Sequence, residues 1–324
     1  MKSHLLFIVG STATGKSDLA VTISEQARGA HRNFSQDSDI EIINSDSVSF
    51  YEAVQIGAAK PGPDLLARAP HHLVGHVLKN QKYTAGDFRR DALKILKPNH
   101  SYIIVGGSGF YVQALEKGMY DTPKIPAEIR ESLAREADEP EGLAKLYNEL
   151  KERDSESIQK ILAPDRYRIL RALEVLRSDT RGFTLSQIKA EFDRVRPEAP
   201  FTNRKIGLFR PRDVLREKVT ERTEKMLSSG LIEEVEALSA EGLGLWSPML
   251  SVGYKEVQAY LRGELEKGAL LGAIVTSTMQ LAKQQSTWFH RDPEIQWFDS
   301  DSQMDEAIQA GLNALAEMND LQVD

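Results

Sequence analysis

Gly10-Ser11-Thr12-Ala13-Thr14-Gly15-Lys16-Ser17 is a complete G-x-x-x-x-G-K-[ST] run, and the types at its fixed positions suit a bound phosphate. The glycines let the backbone turn tightly and aim N–H groups at phosphate oxygens, while Lys16 supplies a point charge. The Ser17 hydroxyl suits Mg2+, and a helix starting there presents its positive end. The loop identifies the phosphate and not the reaction. A kinase or hydrolase usually adds an Asp after a second apolar strand to organise Mg2+. Here Tyr102–Val105 ends in Gly106-Gly107-Ser108 instead, whereas Asp46 follows the apolar run Ile40–Asn44 and leaves phosphate transfer open.

These loops need elements to position them. Leu5–Val9 predicts a strand, followed by a helix with Ala20, Ile23 and Ala27 at helical spacing. Ile40–Asn44, after a polar loop (His31–Asp39), and Tyr102–Val105 predict two more strands. Strands alternating with helices predict an α/β fold: a P-loop NTPase-like parallel sheet core flanked by helices, with ligands at the carboxyl ends of the strands. The pattern changes between Thr122 and Pro200, where prolines 123, 126, 197 and 200 bracket a helical stretch. Ile169, Ala172, Leu173 and Leu176 form one apolar face there. The expected organisation is therefore a core of 1–121 and 201–300, an all-helical insertion domain over 122–200 and an acidic C-terminal tail over 301–324. Lys205–Phe209 reads as a returning strand, with helices from there to the end.

The 324 residues include 41% apolar and 27% charged types, ordinary for a globular protein. Without cysteine there is no disulfide framework, thiolate metal site or thiol nucleophile. No apolar run approaches the roughly 18 residues of a membrane helix, so the expectation is a cytoplasmic, monomeric enzyme. The net charge of −7 is uneven: residues 301–324 carry six acids and neither Lys nor Arg. By contrast, 203–222 holds seven basic residues against Asp213, Glu217 and Glu221, so local basic surface is available for an anionic partner.

Further stretches stand at set distances from the loop: I-N-S-D-S (43–47), I-G-A-A-K-P (56–61), P-H-H-L (70–73), V-G-G-S-G-F-Y (105–111), R-A-L-E-V (171–175), S-V-G-Y-K-E (251–256) and Q-L-A-K-Q-Q-S-T-W-F (280–289). In order and spacing they resemble the bacterial tRNA dimethylallyltransferase (tRNA isopentenyltransferase) family, from residue 5 to about 299. That family moves a dimethylallyl group from dimethylallyl diphosphate to the exocyclic amine of the adenosine 3′ of the anticodon. The resemblance implies that Gly10, Ser11, Thr12, Ala13, Thr14, Gly15, Lys16 and Ser17 hold the diphosphate, with Mg2+ on Ser17 and Arg222 gripping from the other side. It implies Asp46 as general base, with Ser108, where the family has threonine, assisting at the reacting end. It further implies contacts to the tRNA anticodon stem-loop from Asp46, Ser47, Val48, Ser49, Tyr167, Arg168, Arg171, Gly253, Tyr254 and Lys283. The insertion then acts as a tRNA-gripping arm.

The chemistry agrees. Departure of diphosphate from an allylic carbon develops charge that clustered cations stabilise. A carboxylate near the weakly nucleophilic amine contributes about 10²–10⁴-fold. A base in a loop leaves its stack more cheaply than one in a duplex.

Plainer roles compete at each position. Asp46 also suits a helix cap, Ser108 a turn, and Arg168 and Arg171 a solvated helix side. His71 and His72 read as turn-holding, and Trp288 and Phe289 as core. The chain also departs from the family pattern. Ser11 replaces proline, Val48-Ser49 replaces Met-Gln, and Ala58 replaces threonine. Leu250, Met279, Gln284 and His290 stand where basic residues are expected, which puts the grip on tRNA in question. A prenyltransferase acting on free adenine nucleotide, a small-molecule P-loop kinase and a nucleotide switch are the competing functions; the switch lacks an N-K-x-D signature.

Overall fold

Ser3–Gly10 is apolar along most of its length because it lies inside a sheet covered on both faces, and all eight residues are buried. It is β1 of the computed structural model, which describes residues 2–29, 40–179 and 181–320. The expected polar loop 31–39 lies outside those residues. After β1 come α1 (Lys16–Gly29), β2 (Glu41–Asn44), α2 (Pro63–Arg68), β3 (His71–His72), α3 (Ala85–Ile95), β4 (Ser101–Val105) and α4 (Gly109–Lys117). Next are α5 (Ala127–Asp138), α6 (Gly142–Arg153), α7 (Ser155–Ile158), α8 (Arg166–Ser178) and α9 (Leu185–Val195). The chain continues through β5 (Phe201–Phe209), α10 (Arg212–Ser228), α11 (Leu231–Ala240) and α12 (Tyr254–Leu261). It finishes with α13 (Lys267–Phe289), β6 (Ile295–Asp299) and α14 (Met304–Asp320).

Among the described residues the sheet has six strands in the order β3-β2-β4-β1-β5-β6, all parallel. The period of two along β1 divides the core. Leu5, Phe7 and Val9 pack with Phe50, Phe88, Tyr254 and Ile274, while Leu6 and Ile8 pack with Leu19, Ile23, Leu208 and Leu315. This is the expected P-loop-like α/β core.

The C-terminal part corrects two expectations. Helices do not run unbroken from β5 to the end, because Ile295–Asp299 is an edge strand in register with Lys205–Phe209. Residues 304–320 are not part of a tail either. Over Met304–Asp320 they form α14, whose Ala307, Leu315 and Met318 are fully buried against the sheet and α1. The acids misled because Asp305 and Glu306 sit in the first turn, where they complement the helix dipole, while apolar spacing carries the packing. His71 and His72, read as turn residues, form the short edge strand β3, with His72 Nε2 2.5 Å from Glu41 Oε2.

The chain divides into two compact units, Met1–Glu116 with Ala199–Asp324, and Lys117–Glu198. In the first, the Lys205 ammonium is buried on β5 and donates to Glu116, to Asp292 (2.7 Å) and to Glu294 (2.9 Å). Burial opposes the charge, but these carboxylates outweigh it and hold the pKa above the usual lysine value. The second unit is helical. The expected face of α8 is buried there with Leu133, Leu146 and Leu150. Arg177 joins Glu136 (2.7 Å) to Glu149 (2.6 Å), and Asp154 accepts from both Ser157 (2.6 Å) and Ser186 (2.5 Å).

If α14 is part of the core, Leu315→Ala lowers stability by about 2–5 kcal/mol in urea unfolding. A loss below about 0.5 kcal/mol, typical of a solvated tail, would return this segment to that reading.

Candidate active site

Sheet order brings the chemistry together. β4 lies between β2 and β1, so the loops after β1, β2 and β4 meet at one edge of the sheet. Gly10 makes the first turn possible: its φ is +137°, and a Cβ there would lie 2.2 Å from the Leu208 carbonyl oxygen. Gly106 allows the loops to touch, since its Cβ would fall 2.9 Å from the Asp46 backbone nitrogen and 2.7 Å from the Ser45 carbonyl carbon.

The phosphate loop is braced on several sides. The Thr14 hydroxyl donates to Ser11 O (2.8 Å), the Ser300 hydroxyl donates to Thr14 O (2.8 Å), and Arg210 donates to Ala13 O. From α10, Arg222 donates to Thr12 Oγ1 (3.0 Å), and from α13, Gln285 Oε1 accepts from Thr12 N (2.9 Å). Lys16 donates to Ser11 O (2.5 Å). Enclosure pushes its pKa down to about 8; the Asp46 carboxylate pulls the other way, and the Arg222 guanidinium adds to the depression. Arg222 is lowered by enclosure too, again opposed by Asp46. Two cations and one carboxylate therefore share the site.

Asp46 makes the capping contacts that its residue type also suited. Its Oδ1 accepts from the N–H groups of Val48 (3.0 Å) and Ser49 (3.3 Å), which is capping chemistry. Among the described residues its Oδ2 accepts no hydrogen bond, so one oxygen fixes the side chain and the other is available for chemistry. The Ser108 hydroxyl donates to Ser47 Oγ (3.1 Å) and accepts from Ser47 N (3.0 Å), tying the third loop to the second.

A carboxylate from α11 fixes the neighbouring segment. Glu234 accepts from the N–H groups of Gln55 (2.9 Å), Ile56 (2.9 Å) and Gly57 (3.3 Å), and from the Tyr254 hydroxyl (2.5 Å). Burial and the Glu234 charge hold the Tyr254 phenol well above its usual pKa. The Ser49 hydroxyl approaches both Asp46 Oδ1 and Ala58 O at 3.4 Å, so this segment abuts the Asp46 turn.

Residues 49–292 match the family model described as IPP transferase. A tRNA dimethylallyltransferase of Bdellovibrio bacteriovorus is 45% identical over 304 residues, covering 93% of this chain and 94% of its own. One from Geobacter sulfurreducens is 36% identical, covering 94% of each. The chain belongs to this family of transferases. The crystal structure of the tRNA isopentenylpyrophosphate transferase of Bacillus halodurans aligns over 99% of both chains, with 25% identity and a TM-score of 0.68. A eukaryotic dimethylallyltransferase acting on tRNA, 23% identical, shares the fold with a TM-score of 0.76, covering 98% of this chain and 79% of its own.

The IPP transferase residues expected from sequence fall into distinct places. Asp46, Ser47, Ser108, Arg222 and the phosphate loop come together. Val48 is partly buried against the core, and Ser49 is buried with its hydroxyl turned inward. Tyr254 is fully buried behind a buried Gly253, so its side chain holds the 55–58 segment rather than meeting a ligand. Lys283 is exposed, as is Tyr167 in the helical unit, at 78%. Arg168 pairs with Asp165 (2.5 Å); Arg171 pairs with Glu174 (2.9 Å) and donates to Thr122 (2.9 Å). Phe289 is core, but Trp288 is 37% exposed and packs on Gly109. Sequence reading missed Arg210, Ser300 and Glu234, which carry no motif, and passed over Gln285 inside a quoted stretch. Among the described residues no helix is long and apolar enough to cross a membrane.

If Lys16 holds a diphosphate, its pKa near 8 couples that binding to proton uptake. About one pH unit above that value, binding an unreactive diphosphate monoester takes up roughly 0.9 proton, and about one unit below it roughly 0.1. Calorimetry in buffers of different ionisation enthalpy measures this, and uptake that is the same at both pH values contradicts the assignment.

Proposed function

We propose that this chain transfers the dimethylallyl group of dimethylallyl diphosphate to the exocyclic amine of the adenosine 3′ of the anticodon in tRNA. The convergence of Lys16 and Arg222 on the phosphate loop beside the open oxygen of Asp46 is the observation that carries this reading. Clustered cations favour departure of a diphosphate, and an adjacent carboxylate favours loss of an amine proton. The amine nitrogen bonds to the allylic carbon, and the carbon–oxygen bond breaks with its electron pair leaving on the diphosphate. Asp46 accepts the amine proton. Lys16, Arg222 and the N–H groups of Ala13–Ser17 hold the leaving group, while Ser108 keeps Ser47 and the Asp46 turn in place.

A Mg2+ ion suits the donors present. Ser17 offers a hydroxyl at the start of α1, and Mg2+ takes few protein oxygens beside phosphate and water. Such an ion supplies positive charge against the departing diphosphate. The names of the relatives favour tRNA over free adenine nucleotide as acceptor. In this reading the helical unit, with exposed Tyr167 and the cations Arg168 and Arg171, is a tRNA-gripping arm. The enzyme works as a cytoplasmic monomer.

Asp46→Ala lowers label transfer from dimethylallyl diphosphate to unmodified tRNA by about 10²–10⁴-fold, with the donor KM changed far less. Undiminished transfer in the variant, or equal labelling of AMP by the wild type, would overturn the assignment.

A further inference from the structure

Beside the phosphate loop, β5, α10, α13 and Trp297 enclose a cleft of about 590 Å³, within the roughly 300–1,000 Å³ range of ligand sites. Ser11 forms part of its wall, so it adjoins the catalytic centre. Arg210, Arg212, Arg216 and Lys283 line it, and no carboxylate is among the described residues that do. Arg210 is engaged by Asp301 (3.0 Å) and Ala13 O. Arg212, Arg216 and Lys283 are exposed and make no ion pair or side-chain hydrogen bond among the described residues. Arg212 and Arg216 stand on successive turns of α10, and Phe209 is 37% exposed.

We propose that this cleft docks one single-stranded nucleotide of the RNA substrate, with its phosphates on Arg212, Arg216 and Lys283 and its base on Phe209. Cations strung along a groove with an exposed aromatic match a nucleic-acid strand, whose charge repeats along a backbone and whose bases present flat faces. The donor diphosphate is a single compact charge already served by Lys16 and Arg222. The proposal rests on the tRNA reading above. It also supplies a grip where the family's basic positions are lost, Met279 of this cleft wall among them.

The test is binding of an unmodified anticodon stem-loop, followed by fluorescence anisotropy across a salt series, together with the donor KM. Arg212→Ala/Arg216→Ala weakens RNA binding about tenfold and flattens the log–log salt slope by about 1.4, since single strands lose about 0.7 per phosphate contact. Phe209→Leu weakens binding about 5- to 100-fold and leaves that slope unchanged. Unchanged melting temperatures show that these surface variants fold. Wild-type affinity and slope in the variants would overturn the cleft while leaving the function standing, as would a raised donor KM with RNA binding intact. A wild type that neither binds nor modifies RNA would overturn both.

Discussion

Holding Lys16 and Arg222 together costs free energy: each loses hydration, and the Arg222 charge disfavours that of Lys16. One carboxylate, Asp46, offsets part of this, and in the proposed reaction a bound diphosphate offsets the rest. Much of the surrounding architecture serves that arrangement. Arg210, Ser300, Thr14 and Gln285 brace the loop backbone so that its N–H groups stay aimed, and α10 and α13 carry the groups that reach in from the far side. Such pre-set polarity makes departure of a charged leaving group cheap.

The sheet supplies the second condition, that base and leaving-group grip be neighbours. With β4 between β2 and β1, loops far apart in sequence touch, as in the bonds of Ser108 to Ser47, 61 residues away. Glu234 extends the scaffold by gathering three successive amides and a buried phenol. A carboxylate so satisfied by hydrogen bonds pins this segment in place.

The sequence revealed what is local. The phosphate loop, the strands beneath it and Asp46 are contiguous patterns whose chemistry shows in the residue types. Contacts between distant segments did not show: Arg222 to Thr12 spans 210 residues, Thr12 to Gln285 spans 273 and Ser300 to Thr14 spans 286. Charge was a poor guide to α14, because a helix with one apolar face keeps its acids on the other. Strand β6 was passed over because I-Q-W-F-D is short and lies at an edge. Tyr254 was recognised by motif, but only the fold shows it turned inward onto Glu234.

The central claim is that proton removal by Asp46 and the grip of Arg222 on the leaving group act in one transition state. A double-mutant cycle on kcat/KM for tRNA prenylation, built from Asp46→Ala, Arg222→Ala and their combination, tests it most directly. Groups acting as a unit give a combined loss well below the sum of the single losses, with a coupling of about 1 kcal/mol or more. Losses that add to within about 0.5 kcal/mol would contradict the account.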